Sequence, residues 1–242
     1  MKTHLEHYEI IEELGRGGMG VVYKGYEPTL ARYVAIKELS PALAHSPQVV
    51  ERFLREARAM AMLNNAHILQ IFYIGPDQDH PFFVMEFVDG ASVAGLIKLH
   101  GTLSPGDALK IVHQTAKGLA LAHEHGVIHR DIKPANLLIN YRGELKIGDF
   151  GIALASHEGE SKLTNAGELV GTPGYLAPEI LLGQPVDLRA DVYALGVVLF
   201  EMLTGRTPFS EASVYKLMLE VVQNDVPDVR EINADIDPGV AA

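Results

Sequence analysis

His129-Arg130-Asp131-Ile132-Lys133-Pro134-Ala135-Asn136 is followed a few residues later by Asp149-Phe150-Gly151. Upstream lie a glycine-rich run, Gly15-Arg16-Gly17-Gly18-Met19-Gly20-Val21-Val22, and a lysine-terminated stretch, Val34-Ala35-Ile36-Lys37. Any one of these pieces arises by chance. The four in this order decide how the rest of the chain is read. Together they offer backbone amides, cations, two carboxylates and an amide oxygen, the groups that hold phosphate and a hard metal ion.

Working outward, the first part of the chain reads as strands. Tyr8 to Leu14, Gly20 to Tyr26 and Tyr33 to Leu39 are short, rich in β-branched and aromatic residues, and separated by turn residues. A helix is predicted over Gln48 to Leu63, where Val49, Val50, Phe53, Leu54, Ala57, Met60 and Ala61 recur at spacings of three and four. Strands over Ile68 to Gly75 and Phe82 to Val88 follow, and Gly90 opens a linker. The remainder is mainly helical. Ser104-Pro105-Gly106-Asp107 reads as a helix start, and Gly126 as its stop. Short strands Leu137 to Ile139 and Leu145 to Ile147 turn through Tyr141-Arg142-Gly143, and Asp191 to Leu203 is a buried helix closed by Gly205 and Pro208.

Composition bounds the rest. The 242 residues are 48% hydrophobic and 21% charged, an ordinary globular balance. With 20 Lys plus Arg against 31 Asp plus Glu, the net charge is −11, which argues against a nucleic-acid partner. There are no cysteines, so disulfides, thiolate catalysis and cysteine metal sites are excluded. The N-terminus has no apolar signal core, and Val192 to Leu203 is short of the about 20 apolar residues a membrane span requires. The expected location is cytoplasmic, with room for a membrane anchor beyond residue 242.

The glycine run lies between two strands. Glycines let the backbone fold tightly over phosphates and aim amides at them. A dinucleotide-binding fold needs a helix directly after such a loop, whereas a strand follows here, which favours a hairpin flap over a nucleotide. An ordinary glycine-rich turn is the plain alternative.

The ordered set resembles the signature of the Hanks-type serine/threonine protein kinases. Gly17-Gly18-Met19-Gly20 and Lys133-Pro134-Ala135-Asn136 bring it closest to bacterial members, over about Tyr8 to about Pro238. The resemblance implies an α+β, two-lobed protein-kinase fold: a small antiparallel-sheet lobe with one main helix over residues 1–88, and a larger helical lobe over 89–242, hinged near Glu86 to Gly90. It implies transfer of the γ-phosphoryl group of MgATP to protein Ser/Thr hydroxyls, with ATP and Mg²⁺ as ligands. Asp131 is then the base that aims and deprotonates the attacking hydroxyl, and Lys133 neutralises charge on the moving group. Asn136 and Asp149 hold the metal. Lys37 meets the α- and β-phosphates and is held by a helix glutamate, with Glu56 preferred over its rival Glu51. Leu14, Gly15, Gly17, Gly20, Val22, Ala35, Met85, Glu86, Val88 and Leu138 line the nucleotide, with Met85 as gatekeeper and backbone groups of Glu86 and Val88 meeting adenine.

The same resemblance makes His129 a core residue beneath Phe150, stacked with Met60 and Ile71, rather than a base. The other histidines, His123 and His125 among them, read as surface or core filler. Asp191 matches an aspartate that anchors the catalytic-loop backbone. Thr172 would brace Asp131 and Lys133, and Arg130 would clamp a phosphorylated residue of the Ser156 to Glu168 stretch, Thr164 first, then Ser161 and Ser156. Partners implied are protein substrates and a transient homodimer for autophosphorylation in trans. Further large-lobe helices, with an arginine to pair Glu179, are expected beyond residue 242. A nucleotide-binding pseudokinase or an inactive truncated fragment is the alternative.

Overall fold

The computed structural model describes residues 3–75, 81–150, 173–210 and 213–241. They divide into two compact units, Met1–Asp89 and Gly90–Ala242.

In the first unit, period-two alternation builds one antiparallel sheet. Its strands are β1 (His4–Leu5), β2 (Tyr8–Arg16), β3 (Gly20–Glu27), β4 (Arg32–Leu39), β5 (Ile71–Ile74) and β6 (Phe82–Glu86), in spatial order β1-β2-β3-β4-β6-β5. Register decides which residues share a face. Val22 lies opposite Lys37 across β3 and β4, while Ala35 and Lys37 lie opposite Met85 and Phe83 across β4 and β6. Val22, Ala35, Lys37, Phe83 and Met85 are therefore on one face. The alternate residues Val34, Ile36, Phe82 and Val84 form a buried cluster with Leu5 and Tyr8 on the other.

After the short helix α1 (Pro41–Ala44) comes α2 (Pro47–Ala61), which buries Phe53, Glu56, Ala57 and Met60. The Phe53 and Phe83 rings meet at 4.9 Å, which docks α2 on the face that carries Lys37. Ala61, expected on the apolar face, is exposed; the stripe ends one residue earlier, at Met60, and Leu63 continues the core beyond the helix.

The second unit pairs β7 (Gly90–Ser92), β8 (Leu137–Asn140) and β9 (Leu145–Ile147) in a small antiparallel sheet, order β7-β8-β9. Around it run α3 (Val93–His100), α4 (Pro105–Glu124), α5 (Pro178–Leu181), α6 (Arg189–Thr204), α7 (Val214–Gln223) and α8 (Pro238–Ala241). The α4 start forms as expected: Ser104 Oγ accepts from the Asp107 amide at 3.1 Å and donates to Asp107 Oδ2 at 2.7 Å. Gly126 follows the helix with φ of 71°. Where a linker was expected after Gly90, β7 and α3 form instead. A Cβ on Gly90 would meet the Ile139 carbonyl oxygen at 1.9 Å, so glycine there permits strand pairing.

Helix α6 buries nine of its residues, Asp191 among them, on nearly every side. It ends at Gly205, which has φ of 77° and donates its N–H to the Glu201 carbonyl at 2.7 Å. A Cβ there would lie 2.9 Å from the Gly101 carbonyl oxygen. Gly205→Ala is therefore expected to lower the unfolding free energy by about 1–2 kcal/mol, from the left-handed backbone alone, and more if Gly101 cannot yield. Urea denaturation measures it.

Candidate functional site

In the first unit, Lys37 comes from β4, an interior strand of the sheet, and Glu56 from the buried face of α2. Their Nζ and Oε1 atoms are 3.2 Å apart, with side chains 12% and 5% exposed. A carboxylate placed among Phe53, Ala57 and Met60 requires a partner, and Lys37 is one. The rival Glu51 instead faces solvent and pairs with Arg55 at 3.5 Å.

The glycine run forms a tight hairpin between β2 and β3. The Gly17 amide donates to Gly20 O at 2.9 Å, and the Gly20 amide returns a bond to Gly17 O at 3.2 Å. The glycines divide by role. A Cβ on Gly20 would collide with the Glu38 carbonyl oxygen at 2.0 Å, whereas Gly15, Gly17 and Gly18 have no neighbour within 4 Å of that position. Gly20 is thus dictated by strand packing, and the other three leave backbone open to approach. Of the remaining expected nucleotide residues in this unit, Ala35 and Met85 are buried, Val22, Glu86 and Val88 are half-buried and Leu14 is exposed. The Glu86 amide donates to Gln70 O at 2.9 Å.

In the second unit, Asp131, Lys133 and Asn136 converge. Lys133 Nζ lies 2.7 Å from Asp131 Oδ2. The Asn136 side-chain amide donates to the same oxygen at 3.0 Å and to Asp131 O at 2.8 Å. Both of these side-chain donors fall on Oδ2. Among the described residues no donor reaches Oδ1. Because Asn136 turns its N–H₂ toward Asp131, its amide oxygen faces the other way. Asp149 is tied nearby through its neighbour: the Gly148 amide donates to Asn136 O at 2.9 Å. Leu138, on β8, is half-buried.

Two residues of this region, Arg130 with φ of 67° and Asp149 with φ of 49°, hold left-handed backbone without being glycine. Each such residue costs about 1 kcal/mol or more, so the surroundings must hold it. For Arg130 the restraint is Asp191, fully buried on the first turn of α6. Its Oδ1 accepts the Arg130 amide at 2.8 Å and its Oδ2 the His129 amide at 2.9 Å. Oδ2 is also 2.7 Å from His123 Nε2. His123, read from sequence as filler, is therefore part of the anchor; nothing in its spacing signals an aspartate 68 residues onward.

His129 is buried, with its ring centroid 4.4 Å from that of Phe150. Its Nε2 donates to Gly148 O at 3.0 Å and its Nδ1 accepts the Asp131 amide at 3.2 Å. Only the neutral ring protonated on Nε2 satisfies both bonds. Burial pushes its pKa below the ordinary histidine value, against opposing pulls from Asp191 and the Gly148 carbonyl. Met60 and Ile71, its expected stacking partners, are buried within the first unit. Sequence reasoning also missed Tyr175, whose hydroxyl donates to Glu201 Oε2 at 2.5 Å and fixes the segment before α5 to α6. Burial raises the pKa of both groups. Gly151, Ser156, Ser161, Thr164 and Thr172 lie outside the described residues.

The profile of the protein kinase domain family matches residues 8–237. The chain belongs to this family. The kinase domain is 42% identical over 238 residues to the probable serine/threonine-protein kinase pknA2 of Bifidobacterium longum, covering 97% of this chain and 31% of that protein. It is 39% identical to the serine/threonine-protein kinase PknB of Mycolicibacterium smegmatis, covering 98% and 39% of the two chains. Against PrkC of Bacillus subtilis, also a serine/threonine-protein kinase, identity is 37%, with 96% and 36% covered. The kinase domain thus spans about a third of the length of the relatives it matches. No helix among its described residues is long and apolar enough to cross a membrane.

Two outcomes are expected of this domain. Lys37→Met and Glu56→Gln, measured singly and together by denaturation, will be less than additive by about 1 kcal/mol or more, because the pair shares one buried contact. His129 gives a pH signature. Its folded pKa is lowered, so the unfolded chain takes up the proton first on acidification. Its contribution is present in full above about pH 6.5 and is lost as pH falls below that. The parent should therefore lose stability relative to His129→Phe as pH falls through this range.

Proposed function

We propose that this chain transfers the γ-phosphoryl group of ATP to serine and threonine hydroxyls of proteins, its own activation segment included. The observation that carries the reading is the Asp131 carboxylate, with Lys133 and Asn136 both on Oδ2 and no donor on Oδ1 among the described residues. A loose phosphoryl-transfer transition state demands little covalent help. It demands an aimed nucleophile and stabilised phosphate oxygens.

In this reading Oδ1 of Asp131 accepts the hydrogen bond of the incoming hydroxyl, orients its oxygen and receives the proton as the bond to phosphorus forms. Lys133 supplies positive charge beside that oxygen, and the same placement suits serine and threonine acceptors. Lys37, oriented by Glu56, holds the α- and β-phosphates. Open backbone at Gly15, Gly17 and Gly18 covers the phosphate chain, while Leu14, Val22, Ala35, Met85 and the backbone of Glu86 and Val88 take the base.

The donors also suit Mg²⁺. The outward amide oxygen of Asn136 and the Asp149 carboxylate are hard oxygens, and Mg²⁺ takes few protein ligands beside nucleotide oxygens and water. Bound there, it would offset phosphate charge. Thr164 is the first site expected to be modified, then Ser161 and Ser156. Modification in trans within a transient dimer, and work on the cytoplasmic side, belong to the same reading. The names of the relatives support a serine/threonine kinase.

The test is transfer of labelled γ-phosphate from MgATP to the chain and to a generic protein acceptor. Asp131→Asn should lower transfer by about a hundred-fold or more while nucleotide affinity stays near parent. A folded, nucleotide-binding parent that transfers no label would leave the nucleotide-binding scaffold as the function.

A further inference from the structure

We propose that Arg16 and Glu13 are positioning residues for the nucleotide phosphates: their forked ion pair locks a one-residue bulge, and the bulge sets the register of the glycine hairpin. The inference rests on reading that hairpin as the phosphate cover. Arg16 Nε lies 3.1 Å from Glu13 Oε1, and its Nη2 lies 2.6 Å from Glu13 Oε2. Both residues act through the backbone between them.

Residues three apart in a regular strand point to opposite faces, so a regular β2 would keep this pair apart. It forms because β2 and β3 are out of step. Glu13 lies opposite Tyr23, yet Gly15 lies opposite Val22 and Arg16 opposite Val21. Leu14 is the extra residue of a bulge. The bulge turns Arg16 onto the face of Glu13 and Tyr23, and it leaves Gly15 opposite Val22 on the face that carries Lys37. Without it, Leu14 and Arg16 would both turn to the Lys37 face. Their side chains would then fill space that open glycine backbone leaves to phosphate.

Among the described residues, little else opposes that slip. Beyond the bulge only the pairs Gly15 with Val22 and Arg16 with Val21 remain before the tip. At the tip, Gly17 and Gly20 bond each other, and the Met19 carbonyl accepts the Ser40 amide at 2.9 Å, which ties down the β3 arm. Among the described residues nothing lies within 4 Å of a Cβ position at Gly15, Gly17 or Gly18, so packing does not hold them. Glycine backbone is also the costliest to order. A guanidinium fork on a carboxylate fixes angle and distance together, which a single ammonium does not. The side chains are 63% and 40% exposed, so the pair carries the weight of a surface ion pair, a change of up to about five-fold.

Binding of MgADP to the 242-residue chain, followed by calorimetry, tests this without turnover. Glu13→Gln and Arg16→Gln should each weaken MgADP by about two- to five-fold, with a smaller loss for adenosine, which has no phosphates. Glu13→Arg combined with Arg16→Glu restores the pair with its charges exchanged and should recover most of the loss. In both single variants the Gly17 amide should exchange faster with solvent. Nuclear Overhauser contacts between Gly15 and Val22 should weaken in favour of contacts between Leu14 and Val22. Parent-like MgADP affinity in either single variant, equal losses for MgADP and adenosine, or a charge exchange that recovers nothing would overturn the proposal. A parent that binds no MgADP would sink the phosphate-cover reading. Gly17 exchange and the Gly15 to Val22 contacts in the single variants would then decide whether the pair sets the register.

Discussion

One buried carboxylate organises the second unit. Asp191 sits at the first turn of α6, a helix whose other buried residues are aliphatic or aromatic, and it has no access to water. Its charge is tolerable only while donors surround it. Those donors are His123 at the end of α4 and the amides of His129 and Arg130. The loop conformation is therefore coupled to the burial of α6. Any path that packs α6 without the loop leaves a bare charge in the core, and any path that forms the loop alone leaves Arg130 in strained backbone without its restraint.

The first unit applies the same physics. Glu56 occupies an apolar face of α2, and Lys37 lies on the sheet face against which that helix packs through Phe53 and Phe83. In each unit an acid on a buried helix face places groups on a neighbouring element. The reward is precision: a partner that must satisfy a buried charge has few positions open to it, whereas a surface pair such as Glu51 with Arg55 restrains little. This is why burial, more than proximity in sequence, separates Glu56 from Glu51.

Much of this was legible beforehand, and the parts that were not share a cause. The strands of the first sheet, the α4 cap and the α6 stop followed from alternation, a Ser-Pro start and a terminal glycine, all local signals. Asp131, Lys133, Asn136 and Asp149 were legible as an ordered set. The role of His123 was not, because its meaning lies in a partner on another helix. Tyr175 with Glu201 failed for the same reason. The segment after Gly90 was misread because a glycine there looks like a linker, although it answers the close approach of Ile139 O. Gly20 carries the same lesson inside the motif: it belongs to the glycine run by pattern but to strand packing by contact.

His129 shows how a motif residue can mislead when judged by chemistry alone. A histidine two positions from a candidate base invites a proton-transfer role. Yet its ring is fully buried against Phe150, both nitrogens are engaged, and burial favours the neutral form. Cycling a proton through Nδ1 would break the bond from the Asp131 amide, and cycling one through Nε2 would break the bond to Gly148 O. Those two bonds join the residue that precedes Asp149 to the residue that carries the candidate base. A ring free to shuttle protons could not also hold these two segments in fixed register. Asp131 is half-buried, and among the described residues its side-chain donors, Lys133 and Asn136, both fall on Oδ2.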